Sequence, residues 1–500
     1  MTKIPKSWVT VVLLLACAAV PSLVPGLSRY RVIDPMRLLE TLAAPWRGNP
    51  VAKVFRSREA PRPARPSAAD NAASTRIAPL PTPTLPAVPS GLGDDWPSGD
   101  EENAYAAAVT GEVAIEDYGS VLPGFFARLG RTERKAPGAI TRISHFGDSP
   151  VTGDLIAGDA RARLQARFGD AGHGWIFVDR PWEWYNHRGV RLSGGGWSAR
   201  SAMIPPGKPG NDGFGGVSFS ASGPGAQSRI ATAARGRGSA VSRFDIHFQA
   251  GSRGGTLLAS VDGEAATEIP TAAQPGEGGL VVHSLAVPDG GHELRLRPKG
   301  DGPVRLFGVV LERNLPGVVY DTVGANGATI RHLARFDRKG WMDALRRRGP
   351  DLVILNYGTN ESGYNVLSYP AYVRDYREVI RRIREALPGC AILVMAPMDR
   401  GVRGSGGGIE TAASIPRLVA AQRLIARSEK VAFFDTYAAM GGAGTMADWY
   451  ERSPRLVSGD FTHPTHQGAS IVGDLLVDAL LKGYASRTQF ESPGPEGATP

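Results

Sequence analysis

The chain has 500 residues, 42% of them hydrophobic, so it can bury at least one large core, and its length allows two or three domains. Its formal charge is +9, and residues 1–65 hold 11 Lys/Arg against 3 Asp/Glu. Subtracting these from the totals of 57 basic and 48 acidic residues leaves 46 basic and 45 acidic residues in 66–500. A folded part so close to neutrality argues against a nucleic-acid partner, and two cysteines exclude a disulfide framework.

Residues 1–28 contain two lysines followed by an apolar run from Trp8 to about Leu27. About 20 apolar residues span a bilayer, so this segment is predicted to be an export signal or a single membrane anchor. Residues 29–112 are first basic and then rich in Pro and Ala, which is typical of a disordered linker. The protein is therefore expected to act outside the cytoplasm, in the periplasm or cell envelope.

The first regular elements follow from about Val113. A short helix is expected over 115–133, and 140–146 (ITRISHF) is predicted to be a buried strand. This strand is stopped by Gly147-Asp148-Ser149-Pro150. Apolar residues at i, i+4 spacing then predict a helix over 154–169.

Residues 194–313 have a different character. Glycine is frequent, helical periodicity is absent, and short alternating runs such as VSRFDIHFQA are separated by Gly, Pro and Asp. This pattern predicts an all-β sandwich inserted into an α/β domain.

The alternation of strands and helices resumes at 314. Strands are predicted at GVVYDTV, DLVILNYG, CAILVMAP and KVAFFDT, with helices between them and after the last. Such alternation predicts a doubly wound parallel sheet built from residues 113–193 and 314–485, with the ligand site at the carboxyl ends of its strands. Residues 486–500 are expected to be a disordered tail.

Candidate catalytic residues lie on the turns at those carboxyl ends. A serine hydroxyl needs a nearby base, and the base needs an acid to hold its tautomer and orientation. Ser149 follows the first strand, and Asp460 stands three residues before His463 in front of the last helix. We predict Ser149 as nucleophile, His463 as base and Asp460 as its acid, with His466 as the rival base.

Attack on an ester carbonyl also needs hydrogen-bond donors for the developing oxyanion. The predicted donors are the backbone N–H groups of Ser149 and Gly327 and the side-chain amide of Asn360, with Gly324 as second choice for the backbone role. His145 and His173 raise a metal site as an alternative, but their spacing fits no ligand pattern, so no metal and no cofactor are predicted.

The four segments GDS, the glycine turn, GTN and DFTH resemble, in order, the four sequence blocks of the SGNH (GDSL-like) hydrolase superfamily. GDSPVTGD with RARLQARFGDAGHGW is similar to the bacterial peptidoglycan O-acetylesterase branch, whose members carry a carbohydrate-binding-like β module between the first two blocks. The resemblance implies a flavodoxin-like fold and a serine esterase. Pro150 and Glu361 depart from the commonest form of the blocks.

The predicted function is hydrolysis of acyl esters, in particular O-acetyl esters, on a cell-envelope polysaccharide such as peptidoglycan. Two alternatives stay open: a polysaccharide O-acetyltransferase with the same triad, and a non-catalytic glycan-binding envelope protein. The expected partners are an acetylated glycan and, through the N-terminal segment, a membrane.

Overall fold

The N-terminal apolar segment and most of the predicted linker lie outside the part of the chain that the structure describes. Among the described residues, no helix has both the length and the apolar character that crossing a bilayer requires. The structure is a computed structural model, and it describes residues 95–109, 112–202, 211–236, 238–274, 276–364 and 366–491.

The described chain contains a mainly parallel sheet with helices on both sides and an inserted pair of antiparallel sheets. Its strands are β1 (Glu116–Asp117), β2 (Ile140–Gly147), β3 (Gly172–Ile176), β4 (Val190–Gly195), β5 (Ser198–Ser201), β6 (Val217–Ala221), β7 (Gln227–Thr232), β8 (Val241–Ala250), β9 (Thr256–Val261), β10 (Thr267–Pro270), β11 (Gly279–Gly290), β12 (Glu293–Pro298), β13 (Val304–Glu312), β14 (Gly317–Gly324), β15 (Leu352–Asn356), β16 (Ala391–Met395), β17 (Gly401–Arg403), β18 (Ile409–Thr411) and β19 (Ala432–Phe434). Its helices are α1 (Asp100–Ala108), α2 (Leu122–Glu133), α3 (Ser149–Thr152), α4 (Ile156–Phe168), α5 (Ile330–Ala334), α6 (Arg338–Arg348), α7 (Tyr369–Ala386), α8 (Ser414–Ser428), α9 (Thr436–Ala439), α10 (Thr445–Glu451) and α11 (His466–Glu491), with a 3-10 turn at Glu361–Gly363.

The central sheet has the strand order β14-β2-β15-β16-β19-β1, and all its neighbours are parallel except β1 with β19. Counted along the chain, the five parallel strands lie in the order 2-1-3-4-5, which is the flavodoxin-like arrangement. The predicted doubly wound sheet is confirmed. Strand β2, which leads to Ser149, lies at the point where the chain reverses its direction across the sheet, and ligands bind at such points.

The strands of this sheet are covered on both faces. Strands β14, β15 and β16 are buried along their whole lengths, as the near-continuous apolar runs of their sequences predict. Helix α7 supplies part of the cover with Tyr372, Tyr376, Ile380 and Ile383, which are all buried. This layered core holds the strand ends rigidly, so the turns after the strands are well positioned for a site.

The inserted region forms two antiparallel sheets, in the orders β10-β9-β12-β7-β4 and β11-β8-β13-β6-β5. Alternate residues of β8, namely Phe244, Ile246 and Phe248, are buried, as expected for a strand of a sandwich. Strand β3 pairs with β13 in the second sheet. A strand from the segment assigned to the hydrolase part thus joins a sheet of the insertion.

Three predicted boundaries need correction. Strand β4 of the inserted sheets begins at Val190, before the predicted start of the insertion at residue 194. Residues 100–108, placed in the linker, form helix α1, which is held by a buried ion pair between Glu102 and Arg423. Helix α11 continues to Glu491, although a disordered tail was predicted from 486. Apart from Tyr105 and Phe490, the residues of 100–108 and 486–491 are polar or small, and composition alone could not show that these segments pack or continue a helix.

Candidate active site

Ser149 stands at the sharp turn between β2 and the single-turn helix α3. Two glycines allow this turn to pack closely: a Cβ on Gly147 would lie 2.5 Å from Cγ2 of Val151, and one on Gly324 would lie 2.1 Å from the backbone N of Thr152. Any larger residue at either position would push α3 away from the strand ends. The Gly147-Asp148-Ser149 turn is therefore dictated by packing as well as by chemistry.

Three side chains from two distant segments form one hydrogen-bonded chain. The Oγ of Ser149 lies 2.8 Å from Nε2 of His463, and Nδ1 of His463 lies 2.6 Å from Oδ2 of Asp460. Since a carboxylate accepts hydrogen bonds, Nδ1 carries the proton, and Nε2 is left to accept the hydroxyl proton of Ser149. This is the geometry that an activated serine requires.

The loop that carries His463 is folded around Asp460. The Oδ1 of Asp460 accepts hydrogen bonds from the backbone N–H groups of Thr462 and His463, each at 3.0 Å. Phe461, between Asp460 and Thr462, has a φ of +58°. Partial burial by itself would raise the pKa of the Asp460 carboxyl, but these hydrogen bonds outweigh it and lower that pKa. Asp460 therefore stays ionised beside the imidazole.

The three side chains are accessible from solvent. The side chains of His463 and Asp460 are 49% and 51% exposed, and Ser149 is half-buried. Water and a large substrate can both reach the hydroxyl.

The two predicted backbone donors lie on neighbouring turns. The N–H groups of Ser149 and Gly327 donate to no other group of the described residues. Gly327 is exposed, and its φ of +72° is a conformation that favours glycine. Gly324, the second choice, is instead the buried last residue of β14 and serves the close packing of α3.

Asn360 lies at the start of the 3-10 turn after β15. Its side-chain Nδ2 donates to the carbonyl of Ala328 at 2.9 Å and has a longer contact of 3.4 Å with Oδ2 of Asp148. The amide therefore bridges the turn of Gly327 and the turn of Ser149. The Nδ2 hydrogen that points to Asp148 is weakly bound, so a substrate oxyanion could replace Asp148 as its acceptor.

The sequence profile of the GDSL-like lipase/acylhydrolase family matches residues 290–471, a range that includes Gly327, Asn360, Asp460 and His463. Residues 290–471 are therefore similar to the GDSL-like lipase/acylhydrolase family. Ser149 lies outside the matched range because the β insertion separates it from the later blocks, and β2 brings it back beside them.

Solved structures with the same fold include a peptidoglycan O-acetylesterase, with 23% identity over 74% of this chain and 99% of that one and a TM-score of 0.64. A family two carbohydrate esterase from Clostridium thermocellum is also similar, at 12% identity over 58% of this chain and 99% of that one, with a TM-score of 0.25. A carbohydrate esterase family 3 structure from Talaromyces cellulolyticus has 18% identity over 34% and 73%, with a TM-score of 0.25. No curated protein matches the sequence.

No role was predicted from the sequence for Asp148 and Glu361. The two carboxylate oxygens of Glu361 accept the N–H groups of Ile330, at 2.9 Å, and Gly358, at 3.0 Å, and so tie together the turns that carry Gly327 and Asn360. Burial raises the pKa of Glu361 to about 7, and burial with the Glu361 charge does the same for Asp148. The sequence signal for this role was the position of Glu361, an acidic residue directly after the motif asparagine with no basic residue beside it.

The other histidines considered in the sequence have different surroundings. His145 is fully buried, its Nδ1 lies 2.9 Å from the Tyr320 hydroxyl, and burial lowers its pKa to about 4. His173 is also buried, and its Nε2 lies 2.7 Å from the carbonyl of Gly238. Nε2 of His466 lies 3.5 Å from Nη1 of Arg188, whereas the imidazole hydrogen-bonded to Ser149 is that of His463. Within the described ranges, no three His, Cys, Asp or Glu residues are grouped as metal ligands.

Proposed function

We propose that this acylhydrolase removes O-acetyl groups from a cell-envelope polysaccharide, with peptidoglycan as the leading candidate. The main support for the proposed reaction is the hydrogen-bonded chain from Ser149 through His463 to Asp460. The choice of glycan is supported by the similarity in fold to a peptidoglycan O-acetylesterase and by the β insertion beside the hydrolase sheet.

The proposed reaction has two steps. His463 takes the proton of Ser149 as its Oγ attacks the acetyl carbonyl, and the same proton is given to the departing sugar oxygen. Water, deprotonated by His463, then attacks the acetyl-enzyme, and acetate leaves as Ser149 regains its proton. The backbone N–H groups of Ser149 and Gly327 and the Asn360 amide would donate to the oxyanion in both steps.

Hydrolysis is favoured over transfer by the exposure of the triad. With about half of the His463 and Asp460 side chains in contact with solvent, water reaches the acetyl-enzyme readily. An acetyltransferase has to keep water away from the same intermediate.

The test is acetate release from O-acetylated peptidoglycan, with the same material after de-acetylation as the blank. The unchanged enzyme should release acetate, and Ser149→Ala should lower the rate on the order of 10⁶-fold. Ser458→Ala is the matched control, because Ser458 is exposed in the same loop as His463 and its side chain has no role in the triad. Activity on nitrophenyl acetate without release from peptidoglycan would retain the esterase and reject this substrate.

We further propose that the protein acts outside the cytoplasm. The support is the basic start and apolar run of residues 1–28, which lie outside the described residues. Cell fractionation with a C-terminal tag should place the protein in the periplasm or membrane fraction. Recovery in the cytosol alone would contradict the proposal.

A further inference from the structure

A polar cavity of about 510 Å³, separate from the candidate active site, lies where the inserted sheet meets the hydrolase domain. Strands β8, β11 and β13 form one wall, and the C-terminal end of α6 forms the other. Arg142, near the amino end of β2, also lines it, whereas Ser149 follows the carboxyl end of that strand. The seven residues from Arg142 to Ser149, at about 3.3 Å each, separate this cavity from the esterase site by roughly 20–25 Å.

The charges around the cavity are unequal. Glu312 is buried and accepts hydrogen bonds from three guanidinium groups, those of Arg142 at 2.8 Å, Arg243 at 2.7 Å and Arg348 at 2.5 Å. Arg243 also pairs with Asp245, and Arg348 pairs with Asp321 at 2.8 Å. These three cations and three anions balance one another.

Arg347 adds an uncompensated positive charge to this balanced set. Its side chain is exposed at the edge of the cavity and forms an ion pair with no carboxylate of the described residues. The cavity therefore has an excess of one positive charge, located at its lining and reachable by a ligand.

Two buried nitrogens that belong to lining residues also lack partners among the described residues. They are Nη2 of Arg348 and Nδ1 of His247, and the two residues are only 5% and 4% exposed. Burial, with the charges of Arg348 and Arg347, lowers the pKa of His247 to about 3, so its imidazole is neutral. Buried polar groups are normally paired, and unpaired ones at a cavity need an explanation.

We propose that this cavity binds the oxyanion group, a carboxylate or a phosphate, of a sugar-sized ligand. A guanidinium presents a fork of N–H donors that matches both groups, and Arg347 and Arg348 are adjacent at one wall. A cavity of about 510 Å³ between two domains has the size and the location of small-molecule sites. Ser284 and Asp245 on the facing strands provide groups for ligand hydroxyls. The inference does not depend on the esterase reaction.

The test is titration calorimetry on the full chain in detergent, with inorganic phosphate, glucuronate and glucose as probes. Phosphate and glucuronate should bind saturably, and glucose should not. Arg347→Gln should weaken anion binding at least about tenfold, since it removes a charged hydrogen-bond donor. Arg346→Gln is the matched control, because Arg346 is exposed on the same helix and pairs with Asp343. It should leave the affinity within about twofold.

The possible results separate cleanly. Binding of one anion alone supports the proposal and identifies the carboxylate or the phosphate as the group recognised. The proposal is overturned if neither anion binds. It is also overturned if Arg347→Gln and Arg346→Gln weaken anion binding equally, or if glucose binds as tightly as glucuronate. Hydrolysis of nitrophenyl acetate should be unchanged in Arg347→Gln, and anion binding should persist in Ser149→Ala, so this proposal and the esterase assignment can fail independently.

Discussion

At the carboxyl ends of β2 and β15, Asp460 and His463 are half open to solvent, whereas at the amino ends Glu312 and Arg348 are almost fully buried. The exposed pair is held by short hydrogen bonds within one loop, and the buried pair by several partners from distant strands and helices. A group that changes its charge during a reaction has to be reachable and able to respond. A group that only joins two domains can be fixed by burial, provided that every charge is paired.

The largest expected effect is at the exposed end. Asp460→Asn should lower kcat on the order of 10⁴-fold, because the amide no longer holds the His463 tautomer that accepts the serine proton. KM should change little, since Asp460 contacts the imidazole rather than the substrate. Asp448→Asn, at an exposed position on nearby α10, is the control, and kinetics with nitrophenyl acetate are the measurement. Equal losses in both variants would show that the acid acts only through structure.

At the buried end, Glu312→Gln should lower the free energy of unfolding by about 3–5 kcal/mol, because three guanidinium groups lose the charge that pairs them. Glu268→Gln breaks the exposed pair with Lys299 and should have a far smaller effect. Urea unfolding followed by circular dichroism measures both. Similar stabilities for the two variants would remove the distinction between the two ends of the sheet.

Asn360→Ala tests the bridge between the turns of Ser149 and Gly327. Loss of the amide should lower kcat about 10²- to 10³-fold, since one oxyanion donor is removed and the Ala328 carbonyl loses its partner. Asn186→Ala, at an exposed position on a loop whose backbone bonds to α3, is the control and should keep full activity. A fall in affinity for substrate with an unchanged kcat would assign Asn360 to binding instead.

The smallest expected effect concerns the buried carboxyls Asp148 and Glu361. The pKa of each is raised to about 7 in the folded protein, so folded protein binds more protons than unfolded protein between about pH 4 and pH 7, and stability falls as pH rises through this window. Asp148→Asn removes one titrating group. It should therefore reduce the decrease of the free energy of unfolding with pH by up to about 1.4 kcal/mol per pH unit. Urea midpoints from pH 4 to pH 8 measure it. An unchanged slope, matching that of the exposed control Asp95→Asn, would contradict it.

Much of the fold could be predicted because the central strands are buried on both faces. Their apolar runs, as in β15 and β16, leave little choice of structure, and the helices between them show clear periodicity. Helix α6 was not predicted: its sequence RKGWMDALRRR is dominated by basic residues, and Trp341 and Leu345 form its buried side only against the sheet and insertion. The short hairpin of β17 and β18 was likewise missed, because three-residue strands carry no periodic signal.

Local sequence was sufficient to predict the Gly147-Asp148-Ser149 turn and the pairing of Asp460 with His463. It also predicted the alternation of strands and helices around these turns. The sequence also predicted the pairing of Ser149 with His463, which are separated by 314 positions, but only the tertiary structure provided their 2.8 Å contact. The tertiary structure also decided that Glu361 joins two turns and that four arginines from three elements surround one cavity. Burial and pairing depend on neighbours that are distant in sequence, and those neighbours are set only when the sheet and the insertion pack together.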